Sequence, residues 1–188
     1  MAVLALLGGC AGSGGVRPPP PAVAEIAEAG PDCLADEVLA ALFINTAAGT
    51  GSGRSVPAAG SIPPGFDPVR VVECRSAPVT LLNSPASATG SPLTIVEVVL
   101  EGDLAPLIAA LSRPSDRVPA DVACIAMFEF KPQIYLVDAQ GGAVRPQWPV
   151  TACGFLHDGA AATLSGLSQI SSTERVVAPG HDDAAPGS

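Results

Sequence analysis

The chain has 188 residues, of which 48% are hydrophobic and 14% charged, and it carries a formal net charge of -9. This length suits one domain with short appendages. The acidic balance argues against an electrostatic nucleic-acid binder, which needs a basic face to neutralise phosphates, and equally against a polybasic membrane-binding surface.

The chain opens with the apolar run MAVLALL and reaches Leu7-Gly8-Gly9-Cys10. This stretch resembles the lipobox of bacterial lipoprotein signal peptides. The resemblance implies a diacylglyceryl group on the Cys10 thiol, further acylation such as palmitate, and cleavage before Cys10. No Lys or Arg precedes Cys10 and the apolar run is short, so we expect the true start upstream and residues 1–9 to be a signal-peptide remnant. The alternative is that Cys10 belongs to an ordinary frayed N-terminus.

The composition divides the rest of the chain into four parts. Pro and Gly, 20 residues each, are concentrated outside the better-patterned region and predict a tether behind the lipidated cysteine. The parts are the tether at 10–30, an N-terminal segment with a short helix and a flexible loop at 31–65, an α+β domain at 66–177, and a disordered acidic tail at 178–188.

Four cysteines besides Cys10, namely Cys33, Cys74, Cys124 and Cys153, predict two disulfides in an exported protein. Four cysteines allow three pairings. A predicted hairpin between Cys124 and Cys153 would bring those two together, which favours pairing Cys33 with Cys74. The alternative is that some of them are free buried thiols.

Local patterns predict the following elements in chain order. They are a helix at Asp36–Phe43, a loop over 47–64, strands at Pro68–Arg75 and Leu93–Leu100 separated by a loop at 83–92, a helix capped by Asp103 and stopped by Pro114, a hairpin of Ile134–Asp138 and Ala143–Gln147, a helix at 158–168, and a last strand at 171–177. The run from Cys124 to Phe130 is apolar and is followed by Pro132, and its pattern predicts neither a helix nor a strand.

This order predicts an α+β fold: two layers, a mostly antiparallel sheet with two helices on one face, stapled by disulfides. The stretches FDPVRVVEC, LAPLIAALSRPS and IYLVDAQGGAVRPQWPVTACG resemble an uncharacterised group of small exported actinobacterial proteins. The resemblance covers Phe66 to Val177. It implies export and a single domain, and it supplies no activity or site.

Catalytic patterns are weak, so the sequence predicts no catalytic residue, no metal site and no cofactor. His157 and His181 are the only histidines, and no G-x-S-x-G elbow accompanies them. A solvated histidine at a helix start explains His157, and an acidic tail explains His181. The segment Gly49–Ser55 lacks the ending of a phosphate loop. Three glutamates could supply a glycosidase pair, but solvent-facing positions explain them as well; they are Glu97, Glu101 and Glu129.

One cluster is a possible binding surface. Tyr135, Arg145, Gln147 and Trp148 lie on or beside the predicted hairpin, and Trp, Tyr and Arg dominate binding hot spots. The alternative is that Trp148 fills the core and that Arg145 is solvated.

The sequence therefore predicts a lipid-anchored binding or structural protein at the outer face of the cytoplasmic membrane. Its expected partners are the membrane, reached through the lipid, and a protein of the cell envelope, with no nucleic acid. The alternatives are an envelope hydrolase with an unrecognised site, and an inhibitor or sensor subunit of another exported protein. An enzyme is the less favoured interpretation.

Overall fold

A computed structural model describes residues 18–44, 54–77 and 94–177. The lipobox with Cys10, the predicted loop at 83–92, the acidic tail and His181 lie outside these ranges, as does most of Gly49–Ser55. What the sequence indicates for them stays a prediction.

Five strands form one sheet in the order β4-β3-β1-β2-β5, and every neighbouring pair is antiparallel. The predicted antiparallel α+β class is confirmed. The strands are β1 (Pro68–Ser76), β2 (Thr94–Glu101), β3 (Gln133–Asp138), β4 (Ala143–Val144) and β5 (Ser168–Val176). β4 is shorter than its prediction because Pro146 has no N–H to continue the ladder.

Three helices accompany the sheet: α1 (Asp36–Ala41), α2 (Ala105–Leu111) and α3 (Ala162–Ser165). The main-chain N–H of Ala105 donates to the Asp103 carboxylate at 3.0 Å, as expected of an aspartate before a helix. The helix predicted over 158–168 shrinks to the single turn of α3. Gly159 has a φ of 78°, which a right-handed helix does not allow, and β5 already begins at Ser168.

The two faces of the sheet carry separate apolar clusters because side chains alternate along each strand. On β3, Ile134 and Leu136 join the cluster that contains residues of α2 and α3, whereas Tyr135 and Val137 join the cluster that contains residues of α1. The two helices α2 and α3 on one face agree with the prediction. The N-terminal segment with α1 adds a cover on the second face, so β1 and β3 are buried from both sides.

Both predicted disulfides are present. Cys33 bonds Cys74 with Cα atoms 5.5 Å apart, and Cys124 bonds Cys153 with Cα atoms 5.4 Å apart. The first joins the N-terminal segment to β1, and the second joins the chain before β3 to the chain after β4. Two disulfides indicate an oxidising, extracytoplasmic environment. Among the described ranges, no helix has the length and apolar content to cross a membrane.

Candidate docking segment

An apolar stretch of chain lies on the surface between α2 and β3. We call residues 122–130 the exposed segment. The side chains of Ile125, Met127, Phe128 and Phe130 are 65–71% exposed to solvent. Single exposed apolar residues are ordinary, whereas a contiguous exposed group is a candidate interaction surface.

The exposed segment is held at both ends by the same piece of chain, residues 148–156. Near its start, Cys124 is bonded to Cys153. Near its end, the Glu129 carboxylate accepts a hydrogen bond from the Leu156 main-chain N–H. Just beyond it, the Trp148 Nε1–H donates to the Pro132 carbonyl at 2.8 Å. The segment is therefore an anchored loop, and its one carboxylate is already used internally.

The main chain of the exposed segment is largely unpaired. The Met127 N–H donates to the Ile125 carbonyl at 2.9 Å, which closes a three-residue turn at Ala126. Within the described ranges, the main-chain groups of Ala126, Phe128 and Phe130 make no hydrogen bond to protein. These donors and acceptors are free to pair with another chain, as at an exposed sheet edge.

A strained residue from another element adjoins the segment. The Phe43 N–H donates to Ala40 O and the Ile44 N–H to Leu39 O, each at 3.0 Å. These two bonds form a Schellman motif at the end of α1, with Phe43 at the position that glycine usually occupies. Phe43 has a φ of 56°, the only positive value among the described non-glycine residues. A bulky side chain costs about 1–2 kcal/mol in this conformation.

The ring of Phe43 packs edge-on against two rings of the exposed segment. Its centroid lies 4.8 Å from that of Phe128 and 5.2 Å from that of Phe130, and those two rings are 5.3 Å apart. Such pairs are each worth about 0.5–1.5 kcal/mol beyond area burial. The two contacts of Phe43 thus roughly offset its backbone strain. The cluster consequently adds little to global stability.

Two of the four residues predicted as a binding surface are buried; the four are Tyr135, Arg145, Gln147 and Trp148. Tyr135 is 1% exposed on the α1 side of the sheet, and Trp148 is 6% exposed in the cluster on the opposite face. The phenol donates to the Asp32 carbonyl at 2.9 Å, and burial raises the pKa of Tyr135 to about 12. Gln147 is exposed and Arg145 half-buried. The two aromatic residues serve the core, which for Trp148 is the alternative that the sequence left open.

His157 is buried, so the interpretation of a solvated histidine is wrong. It is 7% exposed, and its Nε2 atom has no hydrogen-bond partner among the described residues and lies 4.0 Å from the Asp116 carboxylate. Glu97 pairs with the Arg175 guanidinium at 3.4 Å, and Glu101 is exposed at the end of β2. The described ranges hold no group of three or more His, Cys, Asp or Glu side chains able to bind a metal.

Sequence reasoning missed the exposed segment as a site. Its signal was an apolar run with no helical or strand pattern, placed between Cys124 and Pro132. An apolar run of this length normally predicts a buried element. The disulfide and the hydrogen bonds of Glu129 and Pro132 hold this run on the surface instead.

No protein-family model matches this chain, and neither a curated protein nor a solved structure matches it. The function proposed below therefore depends on the exposed segment and its anchors.

Proposed function

We propose that this chain is an extracytoplasmic binding protein that inhibits an exported endopeptidase, with the exposed segment as the part that enters the peptidase cleft. The carrying observation is an apolar segment with a largely free main chain and an anchor at each end. This proposal corresponds to one of the alternatives that the sequence left open, an inhibitor of another exported protein.

The chemistry of the segment fits a cleft that binds peptide chains. Such clefts recognise main-chain groups by hydrogen bonds and side chains by pockets. Main-chain groups at Ala126 and Phe128, unpaired within the described ranges, supply the first, and the exposed side chains of Ile125, Met127 and Phe128 supply the second. Because the anchors already hold the segment, less conformational entropy is lost on binding.

The anchors also favour inhibition over simple cleavage. If a peptidase cut a bond between Ile125 and Phe128, the first half would stay bonded to Cys153 through the disulfide. The second half would stay attached to β3 and, through Glu129, to Leu156. The new amine would remain beside the acyl carbon at a high effective concentration, so resynthesis would compete with release. A ligand that is cut and rejoined in place keeps the cleft occupied.

The position of His157 does not support the alternative of an envelope hydrolase. A general base must reach the proton that it abstracts from a bound substrate. The imidazole of His157, the histidine within the described ranges, is buried and faces Asp116. No observation therefore favours a catalytic role for it.

Inhibition assays with three peptidases test the proposal. Chymotrypsin has an apolar primary pocket, elastase a small one, and trypsin a pocket with an aspartate. We expect inhibition of chymotrypsin or elastase and none of trypsin. Met127→Asp and Phe128→Asp should each weaken the inhibition at least about 100-fold, because a carboxylate that enters an apolar pocket loses its hydration.

Val69→Asp is the matched control, because Val69 is an exposed apolar residue on β1 outside the segment. It should leave the inhibition unchanged. Rapid degradation of the wild-type segment, with neither chymotrypsin nor elastase slowed, would refute the proposal. Equal inhibition by the Val69 and Phe128 variants would refute it as well.

We further propose that Cys10 carries the lipid that holds this domain at the outer face of the membrane, where exported peptidases pass. The lipobox resemblance and the extracytoplasmic environment that the disulfides indicate support this anchor.

Intact mass measures the anchor directly on protein recovered from its native membrane fraction. The mass should match cleavage before Cys10 plus acyl chains, with four thiols appearing only after reduction. Cys10→Ala should abolish both the acyl mass and the cleavage before residue 10, because the lipobox cysteine is needed for both. A membrane-bound chain without acyl groups would overturn the lipid anchor while leaving the inhibitor proposal in place.

A further inference from the structure

We infer that Phe43 is a positioning residue that clamps the exposed segment in its binding conformation from outside the loop. The inference rests on the proposed function, because it assigns a supporting residue to the same segment. It adds a contribution from the end of α1, far from the segment in the sequence.

The backbone at Phe43 is strained, whereas a glycine at this position would not be. The Schellman bonds of Phe43 and Ile44 need a left-handed residue at this position, and its φ is 56°. A non-glycine residue held in that region points to a use for its side chain. Helix capping by itself gives no reason for a phenyl ring here, since glycine completes the same motif without strain.

The ring of Phe43 does not pack into the core. The side chain of Phe43 is 57% exposed, and its aromatic contacts are with Phe128 and Phe130 of the exposed segment. Those rings are themselves 65% and 71% exposed. The three rings therefore form a surface cluster whose contacts restrict the loop rather than fill the interior.

The other restraints on the exposed segment act near its two ends. The disulfide fixes Cys124, and hydrogen bonds fix Glu129 and Pro132. Between Cys124 and Glu129, the side chain of Phe128 has the ring of Phe43 as an aromatic support from outside the loop. Loss of that support should let the middle of the segment move while both anchors stay in place, and affinity falls when a binding loop must be ordered on association.

Two variants separate the ring from the backbone strain. Phe43→Ala removes the ring and keeps the strain, whereas Phe43→Gly removes both. We expect the melting temperature of Phe43→Gly to lie within about 4 °C of wild type and above that of Phe43→Ala. In both variants, amide order parameters over 125–130 should fall from about 0.85 to below about 0.6. Inhibition of chymotrypsin or elastase should weaken about 10-fold or more in both variants. Phe43→Tyr keeps the ring, so it should retain both the wild-type order parameters and the wild-type inhibition.

The outcomes distinguish the clamp from the proposed function. Unchanged order parameters over 125–130 in both variants would overturn the positioning role, whatever the inhibition assay gives. Reduced order in the variants, combined with a wild-type protein that inhibits neither peptidase, would leave the clamp standing and refute the inhibitor. Reduced order with undiminished inhibition would show that the cleft does not need the clamped conformation, and it would also overturn the inference.

Discussion

Replacing Cys124 and Cys153 together with serine is expected to abolish peptidase inhibition, with the inhibition constant weakened at least about 100-fold. This disulfide fixes the start of the exposed segment and would keep the first half in place after a cut. Without it, the segment loses its preordering and any cleaved end can leave the cleft. The variant should turn from an inhibitor into a substrate. Inhibition kinetics and mass analysis of the digested chain measure both changes.

The same double variant should also lose stability, and that loss has to be separated from the functional effect. The two cysteines are 29 residues apart, so the chain-entropy model predicts a loss of about 3.5 kcal/mol in the free energy of unfolding. Assays at a temperature where the variant is folded isolate the loop effect. Retention of wild-type inhibition by a folded, serine-substituted protein would contradict the role of this disulfide in the site.

Replacing Cys33 and Cys74 together with alanine is expected to give the larger loss of stability, about 4 kcal/mol for a separation of 41 residues. The bond ties the N-terminal cover, including α1, to β1 in the second apolar cluster. Alanine is the better replacement here because both positions are buried, and a serine hydroxyl would lack a partner. The melting temperature should fall by about 8–16 °C, measured by thermal unfolding.

The two disulfide variants control each other. The Cys33 and Cys74 variant should still inhibit when it is folded, because Cys124, Glu129 and their partners are untouched. Similar entropy losses with opposite effects on inhibition would separate the anchor of the segment from general stabilisation. A Cys33 and Cys74 variant with wild-type melting temperature would contradict the structural role of that bond. Loss of inhibition in both folded variants would mean that inhibition tracks the global fold, contrary to the local anchor.

Much of the framework follows from local sequence. Local residue patterns predict β1, β2, the β3–β4 hairpin and the helix that follows Asp103. The hairpin also predicted the correct cysteine pairing. These features depend on neighbours in the chain or on one hairpin, which is why composition and spacing are enough to predict them.

The use of each aromatic side chain was decided by packing between distant parts of the chain. Tyr135 and Trp148 have the residue types of a binding surface, but each is buried in one of the two apolar clusters on the faces of the sheet. Phe128 and Phe130 are of a residue type that usually lies in the core, yet both are exposed on the surface. Hydrophobicity alone could not separate the two pairs, because burial depends on which faces other elements cover.

Strand pattern, turn residues and cysteine number are local properties, so they were enough to predict the antiparallel α+β class, the two disulfides and hence an oxidising environment. The exposure of residues 122–130 and their contact with Phe43 of the α1 end became visible only in the folded chain. The anchors come from residues 148–156 and the clamp from the N-terminal segment. Such long-range contacts depend on how the covered sheet brings these segments together, and no local pattern encodes that arrangement.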